Sequence, residues 1–424
     1  MGRSGNRCSL IANQVACPHC GRARRHKDTR TIVVRSLFGT LRLPSPRWRH
    51  CSCRDQPTRT FQPLAALLPE RTTPELAYLQ ARFAGLVSYG ITANLVGELF
   101  PLGRNLHAAV VRRQTQAVAQ RLEDELGEER PSFIDTCQRD REELPRPDLP
   151  IVVGLDGGYV HSSQQRSRTD GWFEVIAGKA IPADRPPACF GYVQTYDTKP
   201  KRRLVEVLKA QGMRANQQVT FLTDGGEDIR DIPCYLNAQA GHLLDWFHLT
   251  MRITVMANMA KSLQPPPPEP EFPDQPPADP AGEAAAQLER LKWFCWHGNI
   301  FRALQTIDDI LFDLDITEPG PEQARLLKAV REFDSYIRAN AGRIPNYGER
   351  HRAGEAISTS FTESAVNQVI AKRMVKKQQM PWTPRGAHLL LQIRTRVLND
   401  QLADDFRRWY LGFSRAPDPI TLAA

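Results

Sequence analysis

Two aspartates close two apolar runs in the same manner. Ile151 to Tyr159 reads IVVGLDGGY and Gln218 to Gly226 reads QVTFLTDGG, so Asp156 and Asp224 stand 68 residues apart, each followed by two glycines. Short β-branched runs bounded by Gly-Gly favour buried strands. The glycines let another backbone, a metal or a phosphate come close to the acid. Either copy alone also reads as a tight hairpin turn, whereas their recurrence favours two strand ends that deliver carboxylates. Two carboxylates from neighbouring strands suit a hard cation such as Mg²⁺, and a third acid would complete its oxygen ligands.

Glu363, in Ser358-Thr359-Ser360-Phe361-Thr362-Glu363-Ser364, offers that third acid on a helix expected to run to about Lys377. Ser360 and Glu363 also have the spacing of a capping box, in which the glutamate would only satisfy a backbone N–H. Val366, Ile370 and Met374 follow at i+3, i+7 and i+11, which puts Glu363 on the apolar stripe expected to pack onto a sheet. A charge there is costly unless compensated, and a metal ion shared with the two aspartates would compensate it.

A different chemistry is written near the N-terminus. Cys17-Pro18-His19-Cys20 and Cys51-Ser52-Cys53 flank two β-like pieces, Thr31 to Arg35 and Thr40 to Leu43, joined through Phe38-Gly39 as in a hairpin. Four thiolates close a tetrahedral Zn²⁺ site, and a segment this short and arginine-rich cannot bury enough core to fold without one. The tight C-x-C half and the neighbouring His19, His26 and His50 leave the fourth ligand open, and free structural cysteines are the alternative. The other five cysteines are scattered, as suits a reducing cytosol. With no long apolar window and no apolar stretch in the first twenty residues, neither a membrane span nor a secretory signal is expected, and the reading is a cytoplasmic protein.

Charge distribution suggests what such sites act on. Residues 1–60 carry thirteen Arg or Lys against two acids, residues 371–416 ten against three, and the stretch 61–370 is net acidic at 33 against 41. Basic ends around an acid-bearing centre suit a nucleic acid, the alternative being a solvated surface. The coarse element order is strand 151–161, strand 172–181, strand 188–196, helix 199–211, strand 218–223 and strand 242–247. Three antiparallel strands, a crossover helix and two parallel strands are the order of an RNase H-like core. In it the first and fourth strands lie side by side with their carboxyl ends together.

The domains expected are a basic zinc ribbon (1–60), a helical region (61–128) that reads as a helix-turn-helix or a small bundle, and an acidic linker (129–150). The first part of the core (151–248) follows, then a helical insertion (249–355) in which nine of the seventeen residues 264–280 are proline and helix runs through 288–312 and 322–341. A helix completing the core (356–380) and a basic C-terminal region (381–424) end the chain.

Taken together, the Cys-Pro-x-Cys ribbon, GLDGGYV, FLTDGG, DWFH, TSFTESAVNQ and RMVKKQQMPWTPRGAHLLLQIRTRVLN resemble, in order and spacing, a bacterial insertion-sequence transposase of the DDE type, most like the ISKra group. The resemblance spans about residues 15 to 400. It implies an α/β, RNase H-like catalytic core with Asp156, Asp224 and Glu363 as its triad. Asp245 and His248 match an acid-x-x-His motif with an accessory role. Two Mg²⁺ or Mn²⁺ ions per site would drive cleavage and rejoining of phosphodiesters. The implied partners are double-stranded DNA, as terminal inverted repeats and as target, and further copies of the chain. Lys372, Arg373, Lys376 and Lys377 form the basic patch expected along DNA, with Arg22, Arg24 and Arg25 in the ribbon. Ile370 stands where some other DDE groups carry a lysine, so no DNA contact carries over to that position. A non-catalytic DNA-binding protein and a metal-dependent nuclease without strand transfer are the competing classes.

Overall fold

A computed structural model describes residues 16–17, 19–53, 60–102, 106–131, 133, 137–144, 150–163, 171–226, 240–264, 279–315, 320–375 and 380–413. The chain divides into two units, residues 1–122 with 400–424, and residues 123–399.

In the first unit the arginine-rich segment forms a hairpin of β1 (His26–Ser36) and β2 (Gly39–Arg49), to which β3 (Thr60–Phe61) adds at Trp48 and Arg49. Both strands are longer than expected. Pro44 and Pro46 fall on a stretch of β2 paired on one side only, where a missing N–H is tolerated. Ile32 and Val34 turn inward, and Arg47 makes a bidentate ion pair with Asp28 across the hairpin. Four helices follow: α1 (Pro63–Leu67), α2 (Pro74–Leu86), α3 (Tyr89–Leu99) and α4 (Ala108–Glu125). Thr73 and Pro74 start α2 as their residue types suggest, and Ser88 Oγ caps α3 by accepting from Ile91 N at 3.2 Å. The helix Leu402–Trp409 returns to this unit, setting Phe406 edge-on to Tyr78 at 5.4 Å and Trp409 beneath Arg121 at 4.4 Å.

After the short α5 (Gln138–Glu142), the second unit is built on a five-stranded sheet, β4 (Ile151–His161), β5 (Trp172–Pro182), β6 (Ala188–Val193), β7 (Val219–Thr223) and β8 (Gly241–Leu244), with α6 (Pro200–Ala210) between β6 and β7. The strand order is β6-β5-β4-β7-β8. β4–β5 and β5–β6 are antiparallel, while β4–β7 and β7–β8 are parallel. This is the mixed sheet of an RNase H-like core. Period-two alternation sorts β4 into two faces. Ile151, Val153 and Leu155 pack with Leu204, Val205 and Leu208 of α6, so Gly154, Asp156 and Gly158 look out from the other.

The expected last strand is shorter than 242–247. It stops at Leu244 because Asp245 caps a helix, α7 (Trp246–Ala260). The insertion continues with α8 (Pro280–Trp296), α9 (Ile300–Asp315), α10 (Pro321–Asn340) and α11 (Tyr347–Arg352), which bury an apolar core of their own. Over 288–312 two helices form in place of one continuous run, because His297-Gly298-Asn299 breaks it with Gly298 at φ +68°. Most of the proline-rich stretch 264–280 lies outside the described residues.

Beyond the insertion come α12 (Ser360–Val366), a π-helix (Asn367–Val375) and α13 (Pro384–Leu398). Residues 384–399, expected in a basic tail, instead line this core. Leu389, Leu390, Leu391 and Ile393 are buried, and Asn399 exchanges two 2.8 Å hydrogen bonds with the backbone of Cys189 on β6. The expected linker also has work here, since Glu129 Oε2 accepts from the backbone N–H groups of Lys201 and Arg202 at the start of α6.

Candidate active site

The register between β4 and β7 places the two aspartates at one height. Its last pair is Gly154 with Leu222, so Asp156 and Asp224 each lie two residues further along adjacent parallel strands. The turn after Asp224 is held from below. Gly225 takes φ +83° and an added Cβ would meet Asn340 Oδ1 and Leu244 Cδ1, both at 2.8 Å, so no larger residue fits. Tyr336 on α10 donates to the Asp224 carbonyl at 2.8 Å. Arg343 Nε donates to His242 Nδ1 at 3.1 Å, which leaves His242 Nε2 to donate to Thr223 Oγ1 at 2.7 Å. None of these insertion residues was legible as part of the site, because the contacts join segments about a hundred residues apart with no local pattern between them.

α12 and the π-helix run along β4 on the face that carries Asp156. Thr362 lies so close over Gly154 that an added Cβ would overlap its hydroxyl, and at Gly158 one would meet Ile370 at 3.1 Å and Val366 at 3.5 Å. Two glycines in IVVGLDGG are therefore the seats of a helix, with Asp156 between them. The helix cap is Thr359, not Ser360, so Glu363 falls outside the capping-box position, and its backbone N–H bonds to the Thr359 carbonyl at 2.9 Å. Val366 and Ile370 pack as the stripe predicts. Glu363 itself is exposed on the flank of α12, so the expectation of a sheet-buried charge is corrected. Glu355 lies before α12 and pairs with Arg350.

Asp245 and His248 complete the group. β8 is parallel to β7 and ends on the pair Thr223 with Leu244, so Asp245 follows next to Asp224. Asp245 is fully buried. Its Oδ1 accepts from Phe247 N at 3.0 Å and Thr359 N at 2.9 Å, and its Oδ2 from His248 Nδ1 at 2.7 Å and from the Thr359 hydroxyl. Burial would push this carboxyl up, yet the hydrogen bonds from His248, Thr359 and Phe247 hold it below the ordinary aspartate range. The bond to Asp245 raises the pKa of His248 against the effect of burial, and the charges of Asp156 and Asp224 raise it further. Asp156 is shifted up by burial, with His248 and the Gly157 N–H opposing and the like charges of Asp224 and Asp245 adding.

Among the described residues, two groups of Cys, His, Asp and Glu gather potential ligand atoms within 4.8 Å of one another, and the three acids are not one of them. The first is Cys17, Cys20, Cys51 and Cys53. Its sulfurs pair at 3.5 Å (Cys17 with Cys53) and 3.4 Å (Cys20 with Cys51), and hydrogen bonds from the neighbouring backbone lower Cys17 to about 6. This four-sulfur cluster fits Zn²⁺. His26 and His50 are turned to Trp48 and Phe61 instead. The second group, Glu123, Asp197 and His388, already surrounds a cation. The Arg203 guanidinium donates to Glu123, Asp197 and Gln392 at 2.7–3.2 Å, so we read it as a structural ion cluster.

The expected basic patch divides. Lys372 is exposed, whereas Arg373 is fully buried with its guanidinium 5.3 Å from the Trp382 ring. The helical turn carrying the patch rotates Arg373 inward, out of reach of a DNA backbone. Lys376 and Lys377 lie outside the described residues. In the ribbon, Arg22 and Arg25 are exposed and Arg24 stacks over Phe61 at 4.3 Å. No helix among the described residues is long and apolar enough to cross a membrane.

No family model and no curated protein matches this sequence. Among solved structures the chain is similar to the Drosophila P element transposase strand transfer complex, at 9% identity and a TM-score of 0.32 over 78% of this chain and 93% of that one. So distant a likeness carries no argument, and the functional reading rests on the geometry above.

Proposed function

We propose that this chain is a metal-dependent DNA strand transferase, a DDE transposase of a bacterial insertion sequence. The observation that carries the reading is the meeting of Asp156 and Asp224 at one height on adjacent parallel strands, beneath the helix that bears Glu363. Three carboxylates are a donor set for a hard cation, and the upward shift of Asp156 marks a place where negative charge is costly until a cation shares it. Asp156, Asp224 and Glu363 would hold Mg²⁺ or Mn²⁺. Metal ions held there would supply Lewis-acid activation of the attacking oxygen and stabilisation of the leaving oxygen of a phosphodiester. His248, held by its hydrogen bond to Asp245 and with its pKa raised by that bond, stands near enough to both aspartates for their charges to raise it further. Arg22, Arg25 and Lys372 offer exposed cations for phosphates, and the four-cysteine cluster would hold a structural Zn²⁺ that shapes the ribbon presenting two of them.

The test is cleavage of a labelled fragment of the DNA bordering the gene, where the proposal expects terminal inverted repeats, and its joining to a plasmid in Mg²⁺. Glu363→Gln, Asp156→Asn and Asp224→Asn should each lower both reactions by about 100-fold or more while DNA affinity and folding persist. Glu355→Gln should cut and join normally. Normal cleavage by Glu363→Gln would remove the third acid, and normal cleavage by all three would end the proposal. Cleavage without joining would make the chain a nuclease.

A further inference from the structure

Asp245 ends the third of three parallel strands, beside Asp224, and by position alone it could be a metal ligand. Its surroundings say otherwise. Both carboxylate oxygens are committed to protein donors, two each, and none of its surface is exposed. A carboxylate has about four acceptor sites, so no lone pair is left to offer a cation. The four donors come from two places. Phe247 and His248 belong to the first turn of α7, and Thr359 gives both its N–H and its hydroxyl from the cap of α12, 114 positions further on. A second clamp runs alongside, from Trp246 N to the Ile357 carbonyl at 3.1 Å. Thr359 is buried, and its hydroxyl is spent on Asp245 where an N-cap residue would ordinarily cap its own helix.

We infer that Asp245 is a positioning residue rather than a ligand, and that the Asp245–Thr359 strut fixes the start of α12, and with it Glu363, relative to Asp156 and Asp224. The strut spans the root of the insertion, so the whole of α7 to α11 is inserted without loosening the last acid from the first two. It also sets the tautomer of His248. A carboxylate accepts only, so Nδ1 carries the proton and donates to Asp245, leaving Nε2 as the nitrogen turned away from the strut. The inference rests on the proposed function for its kinetic consequence and on geometry alone for its mechanical one.

Thr359→Val and Thr359→Ser in the full chain separate the possibilities. Valine keeps the shape and the N–H but removes the hydroxyl donor, and serine restores it. Amide hydrogen exchange over residues 360–366 should quicken by about tenfold in Thr359→Val, as befits losing a hydrogen bond to a charged acceptor, and should return to the wild-type rate in Thr359→Ser. On labelled DNA, Thr359→Val should lose about 10- to 100-fold in cleavage rate with DNA affinity unchanged, and Thr359→Ser should recover it. Wild-type exchange in Thr359→Val, or a serine variant no better than the valine one, would overturn the strut. A wild-type chain that cuts no DNA would instead remove the proposed function, and the exchange comparison would still decide the strut.

Discussion

Glu123→Gln probes the ion cluster at the edge of the second unit. The Glu123 side chain lies in a bidentate contact with Arg203, both bonds at 2.9 Å, and within 3.4 Å of His388 Nε2. Burial would raise its pKa, but hydrogen bonds from His388 and Arg203 and their charges hold it down at about 2, against an ordinary value of 4.5. A carboxyl depressed in the folded state contributes stability that is fully present above its unfolded pKa and is lost as pH falls through the folded one. A shift of this size corresponds to about 3 kcal/mol. The glutamine variant should therefore unfold about 3 kcal/mol more easily at pH 7, and the gap to wild type should close between about pH 4.5 and 2, where the wild type loses the same contribution. Urea unfolding followed by tryptophan fluorescence reads it, because Trp172, Trp246, Trp293, Trp296 and Trp382 all lie in this unit. A gap that stays constant down to pH 2 would refute the reasoning, since the loss would then stem from packing and not from charge.

Two further outcomes are expected. Purified protein should carry about one zinc per chain, and Cys17→Ser should lose the metal and the ribbon's contribution to DNA affinity; full-strength binding by a metal-free preparation would count against this. Gly154→Ala should destabilise the second unit by about 1–3 kcal/mol, because the new methyl group overlaps Thr362 in a closed space, and an unchanged melting temperature would show that α12 sits further from β4 than described.

What the sequence disclosed was what repeats locally. The strands of 151–161, 172–182 and 219–223 have alternation or β-branched runs bounded by turn residues, and the crossover helix has its own period, so strand order and the pairing of Asp156 with Asp224 follow from residue pattern alone. Paired cysteines are equally local. Asp245 was visible within Asp-Trp-Phe-His, but its partner Thr359 was not, because a hydrogen bond across the insertion leaves no spacing to detect. The same applies to Tyr336 beneath Asp224 and to Arg203 with Glu123. Burial of Arg373 was hidden for another reason. A π-helix advances fewer degrees per residue than an α-helix, so over Asn367–Val375 the faces drift from those an α-helical wheel assigns, and Arg373 turns inward while Lys372 stays exposed. Helix 384–398 reads as basic by composition, yet Arg394 and His388 serve backbone carbonyls and an ion pair inside the core.

The distance in sequence between β6 and the helix that covers it also orders events in time. β4, β5 and β6 leave the ribosome early, but the residues that bond to β6, Gln392 to Gly191 and Asn399 to Cys189, are 201 and 210 positions later. At about 5–20 residues per second, that face of the nascent sheet waits about 10–40 s for its cover. For the first part of that interval Asp156 and Asp224 exist without Thr359 and Glu363, which follow Asp224 by 135 and 139 positions. Only a chain synthesised past residue 363 holds all three acids, so a product ending before it would carry the ribbon and an unfinished sheet. High contact order of this kind slows folding and prolongs the exposure of unpaired apolar surface. The long insertion thus acts as a delay, keeping the proposed cutting centre incomplete until nearly the whole chain has been made.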